Sequence, residues 1–264
     1  MKTIELKKSE TGYQLIVDEL EPFNLVSIPG GSFQREDGQT VKVNSFCMAQ
    51  FPVTQELYEV VTGDTPSRFK GRQHPVEQVS WYDSVKFCGI LNNELTRLGL
   101  VEGKYLIKLN TIAKKELDKL KLDPAASGFR LPTEAEGEYA SNPTGFENPS
   151  NLKKNQYAGS SHLDLVGWYN KNNGYETKPV GLKFPNAFGL YDMSGNVWEW
   201  RWDWYGEYDK RKTENPVGAD SGSRRVCRGG SWISDAFRCR PGYRSRDSPD
   251  YRLSFLGFRL AFVP

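Results

Sequence analysis

The chain has 264 residues, 38 % of them hydrophobic and 13 % aromatic, with 25 glycines and 15 prolines, a balance that favours a loop-rich globule over a helical bundle. Its net charge of +2 is too small to argue for nucleic acid or an anionic membrane surface as partner. Four cysteines without a CxxC pair and only two histidines speak against zinc, and no apolar run is long enough to span a bilayer.

The N-terminal MKTIELKKSE lacks the apolar region of a secretory leader, although a leader already removed would leave no trace. Residues 12 to 50 read as short strands: GYQLIVDEL alternates, SIPGGSF supplies a turn, and VKVNSFCMAQF follows. Thr54 is placed to N-cap a helix over QELYEVVT that Gly63 ends, and Ser80 precedes a second with Val85, Cys88, Leu91, Leu95 and Leu98 near helical spacing before Gly99. The lysine-rich stretch 101–128 reads as an insertion, with a short surface helix over KKELDKLKL. In FRLPTEAEGEYAS, Thr133 and Glu136 form a capping box. Residues 142–190 read as loops, and strands return in the tryptophan stretch, in SRRVCRGGSW and in LGFRLAFV. Strands at both ends, with two or three helices and long loops between, argue for one α+β domain over 1–264.

Four of the seven tryptophans, Trp198, Trp200, Trp202 and Trp204, alternate with Glu199, Arg201 and Asp203. Alternation over seven residues marks a strand with the rings on one face and the charges on the other, and the ring face is core or lines a groove. An exposed platform of four rings would be an unusually large apolar patch.

The motifs HPVEQVSWYDSVKFC (74–88), FRLPTEAEGEYA (129–140), PNAFGLYDMSGNVWEW (185–200) and RVCRGGSW…LGFRLA (225–261) resemble, in order and spacing, the sulfatase-modifying-factor family, the formylglycine-generating-enzyme type of the C-type lectin fold. The resemblance covers roughly residues 22–264. It implies one α+β domain with small antiparallel sheets, much irregular backbone, and termini brought together in a small sheet. It also implies a structural Ca²⁺ at Asp192, Gly195, Val197 and Glu199, through two carboxylates and two carbonyls, which are the hard oxygen ligands calcium takes. On the residues alone, Asp192 could instead cap a turn and Glu199 pair with Arg201 or another arginine. The family's other calcium site has no clear match in 155–180.

The catalytic pair of the resembling enzymes is two cysteines after RGGS that hold copper, since thiolates select Cu(I). Here Ser234 stands at the first position and only Cys239 remains, so neither copper nor formylglycine-generating activity is expected. Cys227 reads as core. The iron-dependent enzymes on this fold need a histidine cluster, for which His74 and His162 are too few.

The C-terminal segment is unusual. No lysine follows Lys212, nine of the sixteen arginines lie from Arg224 onward, and Glu, Gln and Met are absent after Trp232. ISDAF, SRDSPDY and RLSF show neither helical nor strand period. The pattern resembles the variable proteins of diversity-generating retroelements, most closely the Treponema variable protein type. Their randomised asparagine codons yield Ile, Ser, Asp, Phe, Arg, Tyr or Leu but never Lys, Glu, Gln, Met or Trp. Ile233, Ser234, Asp235, Phe237, Ser245, Arg246, Asp247, Tyr251, Leu253, Ser254 and Phe255 all fit that set and are expected to form one exposed ligand-binding patch. The expected function is therefore a ligand-binding protein with a diversified surface, monomeric, without nucleic acid or a membrane span, facing an unknown protein or surface ligand. An oxidase acting on protein cysteine and a calcium-dependent lectin are the alternatives. A cell-surface or extracellular location follows from the resemblance only, and a cytoplasmic one stays open.

Overall fold

The computed structural model describes residues 4–100, 107–141 and 156–264. A hairpin of β1 (Ile4–Ser9) and β2 (Gly12–Val17) opens the fold, and the alternation of GYQLIV turns Leu15 and Val17 inward. Strand β3 (Phe23–Ile28) follows antiparallel to β2. Pro29 and Gly30 lead into a separate hairpin, β4 (Gly31–Gln34) with β5 (Thr40–Val43), before β6 (Phe46–Ala49) returns to pair with β3.

Local signals set the helices. Thr54 Oγ1 accepts the Leu57 N–H at the start of α1 (Gln55–Thr62), and Gly63 closes it at φ 83°. A reciprocal capping box of Ser80 and Asp83 starts α2 (Trp81–Arg97). Leu98, still right-handed, is its C-cap, and Gly99 (φ 70°) turns the chain away one residue later. Within 107–128 a 3₁₀ turn (Ile107–Asn110) and one short α-helical turn, α3 (Lys114–Leu117), form. Leu109, Leu117 and Leu122 of this stretch are buried in the main core, while Lys114, Lys115 and Glu116 of the short helix face solvent.

Strand β7 (Gly128–Arg130) leads to α4 (Glu134–Ser141), started by the expected box: Glu136 N–H to Thr133 Oγ1 at 3.1 Å, Thr133 N–H to Glu136 Oε2 at 2.8 Å. One short helix, α5 (Leu163–Val166), interrupts the loops that follow. Then come β8 (Trp198–Trp204), β9 (Arg225–Arg228), β10 (Ser245–Asp247), β11 (Leu256–Phe258) and β12 (Ala261–Val263). The larger sheet runs β1-β2-β3-β6-β12-β7, so the C-terminal strand lies inside the sheet that the N-terminal strands build. The smaller runs β10-β9-β8-β11, with β11 parallel to β8 and the rest antiparallel. Only Arg259 and Leu260 separate β11 from β12, so the chain changes sheets there.

The main core lies between the larger sheet, α1, α2 and the ring face of β8. Trp200 is fully buried and donates to the Val79 carbonyl at 3.0 Å, while Trp81 of α2 donates to the Arg201 carbonyl at 2.9 Å and meets Trp202 edge-on. The Arg225 guanidinium lies between the Trp81 and Trp204 rings, 3.7 and 3.4 Å from their centroids. The tryptophans are core. The charged face of the same strand is buried too: Glu199, Arg201 and Asp203 are each no more than 2 % exposed.

Candidate functional site

Two C-terminal loops belong to the smaller sheet: 229–244 joins β9 to β10, and 248–255 leads from β10 to β11. Past β9, Gly229 and Gly230 take positive φ, and Gly230 is the position where the backbone must pass close: a Cβ there would lie 2.6 Å from Cys239 Sγ. Trp232 then anchors the region. Its N–H reaches the Asn196 carbonyl at 2.8 Å, its indole N–H the Ser254 carbonyl at 2.9 Å, and its ring meets Phe69 edge-on. Asp235 caps a single 3₁₀ turn, Ala236–Cys239, by accepting the Arg238 N–H at 3.1 Å. Segment 245–247 is not irregular as its aperiodic sequence suggests: it forms β10, with Ser245 opposite Cys227 and Asp247 opposite Arg225.

Among the eleven expected surface residues, Ile233 (45 %), Asp235, Phe237 (57 %), Arg246 and Tyr251 (54 %) are exposed. Ser245, Asp247, Leu253, Ser254 and Phe255 are half-buried, and Leu253 and Phe255 pack against the main core. Ser234 is a correction to the expectation, being 2 % exposed with its Oγ accepting the Ser231 N–H at 3.0 Å. Of the eleven, five side chains are thus exposed, five half-buried and one buried. Sequence reading missed Tyr243, Arg240 and Phe69: Tyr243 meets Phe237 edge-on at 5.4 Å, Arg240 lies 4.8 Å from the Phe237 ring, and Phe69 braces Trp232. All three lie outside the aperiodic runs that drew attention.

Cys239 is fully buried, and burial pushes its thiol up to about 12. The Ser231 amide that Ser234 Oγ accepts from also faces Cys239 Sγ, so Ser234 and Cys239 converge on one backbone N–H. All four cysteines are free and buried. His74 is a packing residue: its Nδ1 lies 2.9 Å from Thr177 Oγ1, and burial lowers its pKa.

At the two carboxylates expected to hold calcium, Asp192 and Glu199, protein donors occupy the oxygens. Glu199 Oε1 accepts Arg259 Nε at 3.0 Å and Nη2 at 2.8 Å, and its Oε2 accepts Arg201 Nη1 at 2.9 Å. Burial alone would raise the Glu199 carboxyl, but the guanidiniums of Arg259 and Arg201 outweigh it and hold the group below its ordinary range. Asp192, in left-handed backbone at φ 56°, accepts the Gly181 N–H at 2.8 Å and Asn196 Nδ2 at 3.3 Å, and burial raises its pKa. Val197 is buried, and the Gly195 N–H, which is not the atom expected to ligate, donates to the Gly229 carbonyl. The donor set does not fit a calcium ion, because Glu199, one of the two carboxylates that would ligate it, is already paired with two cations. Glu199 follows the ion-pair alternative.

A match to the sulfatase-modifying factor enzyme 1-like domain extends over residues 17–263. The chain belongs to this family. It is 34 % identical over 239 residues to the chaperone protein LppX of Paenibacillus barcinonensis, covering 80 % of this chain and 79 % of that protein. The formylglycine-generating enzyme of Mus musculus is 34 % identical over 225 residues, covering 80 % of this chain but only 50 % of the enzyme's length. Among solved structures, Treponema denticola variable protein 1 superposes with a TM-score of 0.77 at 31 % identity, covering 100 % of both chains. The crystal structure of CarF does so with 0.68 at 25 %, covering 91 % and 98 %. The fold is the α+β C-type lectin fold of the formylglycine-generating-enzyme type.

Proposed function

We propose that this family member is a non-catalytic ligand-binding protein whose C-terminal surface is diversified by a retroelement. The carrying observation is the exposure of Ile233, Phe237 and Tyr251, three large apolar side chains at 45 to 57 %, on backbone that a buried scaffold holds. Aromatic anchors with arginine and small polar neighbours are the composition of paratopes, where rigid rings supply contact area and short polar groups adapt. A solved protein named as variable matches the chain along its whole length, which supports the same reading. The ligand is a protein or other surface ligand, and a cell-surface or extracellular site is where such a binder would meet it.

The absence of catalysis is part of the proposal. A thiol must ionise to act as nucleophile or metal ligand, and the buried Cys239 resists ionisation. Ser234 supplies a hydroxyl where Cu(I) would need a second soft thiolate. The gene's surroundings test the diversification directly. A near-copy of the 3′ coding end, differing at adenines and lying beside a reverse-transcriptase gene, is the expected finding. A locus with neither would refute it.

A further inference from the structure

We infer that Arg201 and Arg259 form a built-in cation site on the charged face of β8, making the scaffold independent of calcium and closing the Glu199 position to a metal. The oxygens are the first argument. Arg259 collects them as a metal ion would: besides Glu199 Oε1 it donates to the carbonyls of Ala49 and Gln50, both at 2.9 Å, and of Tyr191 at 2.7 Å. It thereby ties the end of β6, the loop before β8 and β8 itself to one guanidinium. Arg201 takes the remaining Glu199 oxygen.

Charge is the second. Asp192, Glu199, Arg201 and Arg259 are all buried, and two carboxylates against two guanidiniums already balance. A divalent ion added there would leave two uncompensated positive charges away from water, which is strongly unfavourable. The one buried polar side-chain atom among these four residues without a partner is Arg201 Nε, a donor, which a cation cannot satisfy.

The third argument lies on α4. Gly137 sits mid-helix, where glycine is a poor choice. A Cβ there would lie 2.4 Å from Arg201 Nε and 2.9 Å from its Cζ. The helix therefore carries a glycine at the one place where the Arg201 guanidinium lies against it.

The test is thermal melting with added metal. Wild-type protein dialysed against chelator is expected to melt at the same temperature as with millimolar calcium, and to show no tryptophan-sensitised terbium emission that calcium displaces. A calcium-dependent rise in melting temperature, or such emission, overturns the inference. Arg201→Ser frees Glu199 Oε2 and leaves a net negative site. It is expected to melt about 10 °C lower in chelator, as the loss of one partner of a buried ion pair implies, and to recover with calcium. A variant that melts like wild type, or melts lower and ignores calcium, also overturns the inference. Should Arg201→Ser not fold, Gly137→Ala serves in its place: displacing the Arg201 guanidinium should lower the melting temperature, and an unchanged melt counts against the inference.

Discussion

Ser234 separates a residue of the right type from a residue in the right place. Every product of a randomised asparagine codon would be offered at this position, including Tyr, if it were displayed. Its side chain is 2 % exposed, and Oγ accepts the Ser231 N–H at 3.0 Å against the buried Cys239. Ser234→Tyr should therefore cost about 1–3 kcal/mol of overpacking. Losing the bond from a buried amide adds about 1 kcal/mol. The sum of about 2–4 kcal/mol corresponds to a fall in melting temperature of roughly 5–15 °C for a chain of this size. Phe237→Ser is the exposed control. That ring is 57 % exposed and has one edge-on contact with Tyr243 and one arginine 4.8 Å away, so its loss should cost about 0.5–1 kcal/mol. Paired melts, with urea titrations to check that the denaturation slope is unchanged, decide it. Equal melting of Ser234→Tyr and wild type would refute the buried placement and restore Ser234 to the displayed set.

Three further outcomes are expected. Copper-loaded protein incubated with a Cys-x-Pro-x-Arg peptide should leave the peptide mass unchanged, and turnover abolished by Cys239→Ala would overturn the non-catalytic reading. Burial lifts Glu77 to about 7 from 4.5, so between those values the folded state binds more protons and stability falls as pH rises. Asp203, lifted to about 8 by burial, acts in the same direction, so melting temperature should drop from pH 5 to 8 and Glu77→Gln should flatten part of that drop, an identical slope counting against it. Arg225→Ala empties the slot between Trp81 and Trp204 and removes the bond to the Trp202 carbonyl at 2.8 Å; a loss of about 2–4 kcal/mol is expected by urea unfolding, and a neutral result would show that the slot collapses without cost.

What could be read beforehand was what local chemistry decides. Thr54, the Ser80–Asp83 box and the Thr133–Glu136 box start their helices because a cap needs only residues three apart. The ring face of β8 was legible from period 2, and ordered motifs identified the family. Period 2 says which residues share a face, not whether anything covers it. The partners that bury the charged face arrive from far along the chain: Arg259 to Glu199 across 60 residues and Glu134 N–H to Asp203 across 69. Strand β10 escaped notice because three polar and charged residues at a sheet edge need only backbone pairing with β9. The burial of Ser234 depends on the approach of Cys239 under Gly230, which no residue type announces.

The way the loops are fastened explains how one scaffold could carry many surfaces. Four of the eleven residues are tied through their carbonyls to donors outside their own turn: Ser234 by Asn170 N–H at 3.1 Å, Leu253 by Gln78 N–H at 3.1 Å, Ser254 by the Trp232 indole at 2.9 Å and Phe255 by Trp198 N–H at 2.8 Å; Asp235 and Phe237 accept local amides within the 3₁₀ turn. Pro249, between the segments, accepts Trp81 N–H at 3.1 Å, an amide at the first turn of α2 that has no helical carbonyl to use. A backbone carbonyl is the same acceptor whatever side chain its residue bears, so these bonds survive substitution. Side chains that themselves make the structural bond are the exceptions. Ser234 Oγ at the Ser231 amide is one, and the Asp235 carboxylate at the Arg238 amide is another. At 235 another short acceptor such as Ser can replace the cap, whereas Ile or Phe leaves the 3₁₀ turn uncapped at a cost of about 0.5–2 kcal/mol. Variation selected for folding should therefore be widest at Ile233, Phe237, Arg246 and Tyr251, restricted to short acceptors at Asp235, and narrowest at Ser234. Folded members of a library randomised at these six positions, sequenced after a thermal challenge, would show it. Uniform variation at all six would mean that side chains, and not only carbonyls, are free of structural duty throughout the patch.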